Sequence, residues 1–351
     1  MQTNLDDMDL MARLDPSNMV GAVERFPDPF LSRTKGIGVE LKTSVSGLRT
    51  LVLMGMGGSA SAGDVVADWL RGDLRIPICV NREPRLPGFV NSKTLFVAVS
   101  YSGETSETLT AFRAAKMRRA QLIGVGTGGK LEGLCDQFRA PFIEIETTVA
   151  PRAALSQMIV AIANTLESLG LSRSTSKELP EAGKELARLR TRFKTENPIE
   201  KNPAKRLAAK LLGRFIVMYS LERMSSVARR FKNQLGENCK EVAKYDVLPE
   251  ACHNEIEAWE NYPKRSLPIM IRDNKESEFE QSTSNAFRST ISSASNAHPI
   301  EVRVTCRGNL SRLVCPIFFL DYVSVYLALL NRINPTPTQS IAKYKTIMKS
   351  R

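Results

Sequence analysis

The stretch Leu51 to Gly63, LVLMGMGGSASAG, limits what this chain can fold into more than any other. The apolar run Leu51-Val52-Leu53-Met54 stops at a cluster of glycines and small hydroxyl residues. A helical pattern (Asp64, Val65, Val66, Ala67, Trp69, Leu70) follows at once. This reads as a buried strand, a tight glycine loop and a helix N-terminus, with the helix predicted over 63–71. Glycine lets the backbone approach a ligand closely. The first N–H groups of a helix lack internal partners and, with the helix dipole, favour an anion. A second loop, Ser100-Tyr101-Ser102-Gly103-Glu104-Thr105, stands in the same place after the apolar run 95–99.

The same rhythm continues along the chain. Strands are predicted at 51–54, 78–80, 95–99, 122–125 and 141–145, with helices at 105–118, 130–136 and 151–170. Residues 171–200 are polar and charged, helical over 181–194, and read as a connection. Further strands fall at 215–219, 243–245, 267–271 and 301–304, with helices at 222–236, 251–259, 278–291, 313–332 and 338–349. Short apolar runs alternating with helical patterns specify an α/β fold, with mainly parallel sheets flanked by helices on both faces as an αβα sandwich. Ligands of such sheets bind at the carboxyl ends of the strands, where both hydroxyl loops sit.

The chain has 351 residues, more than one core commonly serves, so two units are expected. Their bounds read as 1–170, with helices and loop over about 1–41 as an N-terminal extension, then 171–200 as the connecting segment, and 201–351 ending in a helix. No apolar run approaches the ~18–20 residues of a membrane span, since Cys315-Pro316 and Asp321 interrupt Leu313 to Leu330. The acidic N-terminus lacks an apolar core, so no secretory signal is read. The expectation is a cytoplasmic protein with no membrane partner. Six cysteines without CxxC spacing and two histidines make no zinc set, so no metal is expected. The formal net charge of +12 comes from positive residues spread along the chain, with Lys184 to Arg230 rich in them, and with no nucleic-acid-binding signature beside them, so no nucleic-acid partner is expected.

Taken alone, Gly57, Gly58 and Ser59 match neither the dinucleotide fingerprint nor a P-loop, which needs a lysine. With Ser100, Ser102 and Thr105 they suit a sugar phosphate held by hydroxyls and backbone N–H groups. Arg152, behind Pro151 at a helix start, opposes the helix dipole, which favours an oxyanion or phosphate role over a stabilising one. Salt bridging to a neighbouring acid is the alternative.

GMGGSASAG, SYSGETSET, Pro151-Arg152, Gly236-Glu237-Asn238 and His253-Asn254-Glu255, in that order, resemble the sugar isomerase (SIS) fold, and within it the bifunctional phosphoglucose/phosphomannose isomerases. The resemblance runs from about residue 40 to the C-terminus. It implies two SIS-type subdomains, a homodimer, and cofactor-free aldose–ketose isomerisation of glucose 6-phosphate, and of mannose 6-phosphate, through a cis-enediol. Such chemistry needs a carboxylate to carry a proton, a cation to hold the oxyanion and groups to open the ring. By resemblance Glu237 carries the proton, Arg152 stabilises the enediolate, and His253 assists ring opening from the neighbouring subunit. A ring-opening lysine is implied on the C-terminal helix, Lys345 in preference to Lys343. Thr338 falls where the family places a small hydroxyl residue that leaves room for either C2 epimer. Glu104 departs from the family, which has a neutral residue there, so it must point away or pair with a cation. The region 171–214 is also longer than the family's usual connection. An isomerase for another sugar phosphate and a non-catalytic phosphosugar sensor are the alternative readings.

Overall fold

The computed structural model describes residues 4–32, 45–295 and 297–349, so the part of the expected N-terminal loop over 33–41 lies outside the described residues. Two parallel sheets form its frame. The first contains β1 (Thr50–Met54), β2 (Ile78–Asn81), β3 (Thr94–Val99), β4 (Gln121–Gly126) and β5 (Phe142–Glu144), in the order β2-β1-β3-β4-β5. The second contains β6 (Phe215–Leu221), β7 (Lys244–Leu248), β8 (Ser266–Asp273) and β9 (Ile300–Val304), in the order β7-β6-β8-β9. The two halves therefore wind alike. Every strand pairing is parallel, with Val52 opposite both Cys79 and Phe96 in the first sheet and Tyr219 opposite Asp246 and Met270 in the second. All six residues of β3 are buried, as expected of a strand covered on both faces.

Thirteen α-helices occur among the described residues. Three short ones, α1 (Met8–Leu14), α2 (Met19–Glu24) and α3 (Asp28–Leu31), precede the first sheet. Then follow α4 (Gly57–Leu70), α5 (Ser106–Met117), α6 (Gly129–Phe138), α7 (Leu155–Ser168), α8 (Thr175–Phe193) and α9 (Pro203–Leu211). The second half adds α10 (Ser225–Gln234), α11 (Glu278–Ser295), α12 (Asn309–Leu330) and α13 (Gln339–Lys349). One apolar core, to which α4, α7, α10 and α12 all contribute, runs continuously from the inner face of one sheet to that of the other. Separate clusters cover the outer faces, with Phe96, Phe112 and Leu131 on the first and Tyr219, Trp259 and Phe287 on the second.

The elements differ from the sequence expectation in four places, each for a tertiary reason. Helix α4 starts at Gly57 rather than at residue 63, because the glycines belong to its first turn. Gly57 opens it at φ +51°, a backbone conformation that glycine adopts at little cost, and Gly58 packs against the Arg152 backbone, a Cβ there lying 3.4 Å from its Cα. Residues 175–193 form one 19-residue helix, longer than the predicted 181–194. Its interior Pro180 gives up one backbone hydrogen bond, and buried Leu179, Ala182, Leu186 and Phe193 hold the helix in place despite it. The stretch read as strongly charged hides α9, capped by the Asn202 side chain, which accepts from Ala204 N and Lys205 N. Buried Ala204, Leu207, Ala208 and Leu211 give α9 a helical apolar face beneath its charges. The predicted helix over 251–259 is two 3₁₀ turns, Glu250–His253 and Glu255–Asn261, parted by Asn254 with φ −152° and ψ −66°.

The expectation that Pro316 and Asp321 break the last long apolar run is also corrected. Helix α12 is continuous over 22 residues and is apolar enough by length and composition to cross a membrane, yet 89% of its most apolar stretch is buried within the protein. A helix apolar all round is a core helix in this setting, and Asp321 survives in it by pairing.

Candidate active site

Strand β1 delivers the chain into α4 through Gly55 and Met56. Gly57 has φ +51°, in the left-handed region glycine favours, and a Cβ on Gly55 would lie 3.0 Å from Ala60 N. Gly57, Gly58 and Ser59 thus occupy the first helical turn, where Ser59 N donates back to Met56 O at 3.1 Å and the N–H groups of Gly57 and Gly58 precede the first intrahelical bonds. Strand β3 runs into Ser100, which is 1% exposed, and on to Thr105, which precedes α5. The Thr105 hydroxyl makes no capping hydrogen bond to that helix. Instead the Ser100 hydroxyl donates to Thr105 Oγ1 at 3.1 Å, and Ser102 Oγ accepts from Glu104 N at 3.3 Å.

The two loops touch, because Tyr101 N donates to Ser59 Oγ at 3.3 Å. They flank the β1/β3 boundary, where the strand order of the sheet reverses and where ligands of doubly wound sheets bind. Gly103, at φ +65°, allows the serine loop to lie against the next crossover, since a Cβ there would fall 1.8 Å from Gly128 O. Glu104 carries no uncompensated charge into the loop: its carboxylate takes the Lys130 ammonium at 2.7 Å and Lys130 N at 3.1 Å. Tyr101 ties the loop to the segment before Arg152, its hydroxyl donating to Thr148 O at 3.0 Å and accepting from Thr148 N at 2.7 Å.

Arg152 lies in a 3₁₀ turn, Pro151–Ala154, that abuts Gly58, and it is only 3% exposed. Its guanidinium is almost fully committed. Nε donates to Asn238 Oδ1 at 2.7 Å, Nη2 to Pro335 O at 2.6 Å and Thr336 O at 3.0 Å, and Nη1 reaches Glu237 Oε2 at 3.5 Å. Burial draws this guanidinium below its usual range while the Glu237 carboxylate pulls it back up. It stays cationic, as arginine does in proteins.

Glu237 stands on a π-turn, Leu235–Cys239, that continues α10 and ends at Lys240 with φ +60°. Such turns, rare in proteins, recur at functional sites because they swing side chains out of helical register. The N-terminus of α10 is capped from the other half of the molecule, with Asp68 of α4 accepting from Ser226 N at 2.9 Å. The Glu237 side chain keeps 26% of its exposure, so it can meet a solute. Lys240 donates to Glu237 O and, at 2.7 Å, to Pro337 O. Burial and the nearby Arg152 charge both lower its ammonium.

Behind these groups lies a buried lattice. Arg230 pairs with Asp321 through two hydrogen bonds of 3.2 and 2.8 Å, and its Nη2 also donates to Arg152 O at 2.8 Å. Asn238 Nδ2 donates to Ser324 Oγ at 2.8 Å, and Ser324 Oγ donates to Asp321 O at 2.7 Å. Helices α10 and α12 together therefore fix both the carboxylate and the cation.

A single chain brings together Gly57, Gly58, Ser59, Ser100, Ser102, Thr105, Arg152 and Glu237 through this chain of contacts. Three predicted residues, His253, Lys345 and Thr338, are not joined to it by these contacts. His253 is exposed at the end of a 3₁₀ turn after β7, with no hydrogen bond or ion pair to Glu237 or Arg152. Lys343 and Lys345 are exposed on α13, the helix that Thr338 precedes. Arg230, Asp321, Lys240 and Tyr101 are site-supporting residues that sequence reasoning missed. One signal was available for the first pair, since an acid inside a long apolar helix must find a buried cation.

Comparison with known proteins places this geometry in context. Residues 200–348 match the family model described as bacterial phospho-glucose isomerase C-terminal SIS domain. A relative from Caldicellulosiruptor bescii, named bifunctional phosphoglucose/phosphomannose isomerase, is 34% identical over 315 residues, spanning 87% of this chain and 91% of the relative. A D-glucosamine-6-phosphate 4-epimerase from Sulfolobus acidocaldarius is 27% identical over 251 residues, spanning 70% of this chain and 77% of that protein. Among solved structures, a glucose-6-phosphate isomerase like protein from Thermus thermophilus shares the fold with a TM-score of 0.65 at 17% identity, covering 98% of this chain and 99% of that one.

Proposed function

We infer that this chain, which belongs to the family of bifunctional phosphoglucose/phosphomannose isomerases, interconverts glucose 6-phosphate and mannose 6-phosphate with fructose 6-phosphate. The observation that carries the reading is the partly exposed Glu237 carboxylate 3.5 Å from a buried guanidinium, itself packed against the helix start that Gly58 opens. In this reading the phosphate is held by the hydroxyls of Ser59, Ser100, Ser102 and Thr105 and by the amides of Gly57 and Gly58. The open-chain hexose extends toward Glu237. The carboxylate takes the proton from C2 of the aldose and returns it to C1, so that a cis-enediol lies between. Arg152 holds the negative charge that develops on the enediol oxygen, and its position needs no rearrangement during the step. Thr338 borders the C2 end, where either epimer must fit.

Ring opening falls to Lys345 and to His253 of the partner subunit in a cytoplasmic homodimer. The exposure of both groups in the isolated chain supports an arrangement in which they meet the sugar from outside it. Mixing a Glu237→Gln chain with a His253→Ala chain under conditions of subunit exchange tests this. The mixture is expected to regain activity that neither variant has alone, because one site of the mixed dimer carries both native groups. A mixture that stays inactive would return His253 to its own chain's site or to no site.

The whole reading is tested by following fructose 6-phosphate formation from glucose 6-phosphate and from mannose 6-phosphate. Glucosamine 6-phosphate is included because one relative is named an epimerase of that sugar. Turnover of both hexose phosphates is expected. Binding of phosphosugars without turnover would favour a sensor.

A further inference from the structure

We propose that a cavity of about 340 Å³ between α8, α9, β9 and the first half of α12 is a second ligand site, selective for a phosphate ester with an apolar, ring-sized body. Its volume lies at the small end of the range for small-molecule pockets, roughly 300–1,000 Å³. None of the elements that form it carries Glu237, Arg152 or the two hydroxyl loops. Leu207, Val302 and Phe319 contribute to an apolar floor, and Arg192, Arg206 and Lys210 stand around it.

The charge balance of this rim is the telling feature. Arg192, Arg206 and Lys210 are exposed, and among the described residues none has a carboxylate within ion-pair distance. Arg206 donates only to the Glu200 carbonyl. The one acid in the cavity wall, Glu301, is already consumed by Arg272 at 2.8 Å, Arg288 at 3.5 Å and Arg303. Three exposed cations without ion-pair partners at the rim of an apolar floor suit an anion of more than one charge joined to a group that needs to leave water. A solvated helix face alone does not require the apolar floor. Within the basic stretch from Lys184 to Arg230, where Arg188, Arg190, Lys194, Lys205, Arg223, Arg229 and Arg230 are all ion-paired, these three rim cations are ones the isomerase reading does not use. The floor residue Phe319 lies two positions from Asp321 on α12, so an occupant would touch the helix that anchors Arg230 and Asn238.

Isothermal titration with 1-naphthyl phosphate tests the proposal, with fructose 6-phosphate present at saturation to fill the isomerase site. One-site binding is expected, with inorganic phosphate and 1-naphthylmethanol each at least about tenfold weaker, because each lacks half of the recognition. The triple variant Arg192→Ala, Arg206→Ala, Lys210→Ala is expected to weaken binding about tenfold or more while isomerase turnover without the ligand is retained. The single exposed change Arg206→Glu serves as a second variant and should weaken it in the same direction. The proposal fails if the variants bind like the native protein, if inorganic phosphate binds as tightly as the ester, or if a single-stranded oligonucleotide binds this face and the ester does not. Loss of isomerase activity together with retained naphthyl phosphate binding would count against the assigned catalytic reading alone.

Discussion

Replacing Glu237 with Gln is expected to lower kcat for glucose 6-phosphate about 10³–10⁴-fold, near the top of what removal of one general base produces. The amide is nearly the same size and can still accept from Arg152, so the geometry survives while the proton carrier is lost. KM should change little, because the phosphate contacts lie on the other loops. Stability should change by no more than about 1 kcal/mol, since the pair is long at 3.5 Å and Glu237 is partly exposed. A coupled assay of fructose 6-phosphate formation, with circular dichroism as the control for folding, gives the answer. Turnover within tenfold of the native enzyme would remove Glu237 from the proton transfer.

Asp321→Ala is expected to destabilise the fold by about 3–5 kcal/mol, the range found when one partner of a buried ion pair is removed. Both side chains are 3% exposed, and Arg230 would be left charged inside the shared core. The loss should also reach the site, because the same guanidinium holds the Arg152 carbonyl at 2.8 Å. Urea unfolding measures the effect. The double change Arg230→Met with Asp321→Leu should recover most of the stability, since two apolar groups of similar volume leave no orphan charge. Activity should not return with it, because Arg152 has lost a support. A single-variant cost below 1 kcal/mol would show that water reaches Arg230.

The architecture is legible in the sequence because parallel strands covered on both faces write themselves as short apolar runs. Leu95 to Val99 is one, and it is buried throughout. Local chemistry also marks Arg152 as odd, a cation at a helix start where the dipole opposes it. What local reading cannot supply is the partners. Arg152 is held by Asn238 and by the carbonyls of residues 335 and 336, more than 80 and 180 positions away. Glu104 reads as an intruder in a phosphate loop, and only the fold brings up Lys130, 26 residues on, to neutralise it. Helix α9 is hidden because it sits in a stretch read by its charges, whereas its four buried apolar residues decide its packing. The start of α4 is displaced from its expected place because glycine reads as a loop former locally, whereas here Gly57 turns the chain at φ +51° into the first helical turn.

Both acceptors of Arg152 Nη2 come from the proline joint that leads into α13, and Lys240 holds the next carbonyl along. The tail of the chain is therefore moored at the reacting centre before its last helix begins. Trimming α13 alone leaves that mooring in place, whereas a cut before Pro335 strips a buried cation of two acceptors. The joint Pro335 to Pro337 therefore sets where the arm that carries Thr338 and Lys345 leaves the buried cation, so the same guanidinium that faces Glu237 also aims the last helix.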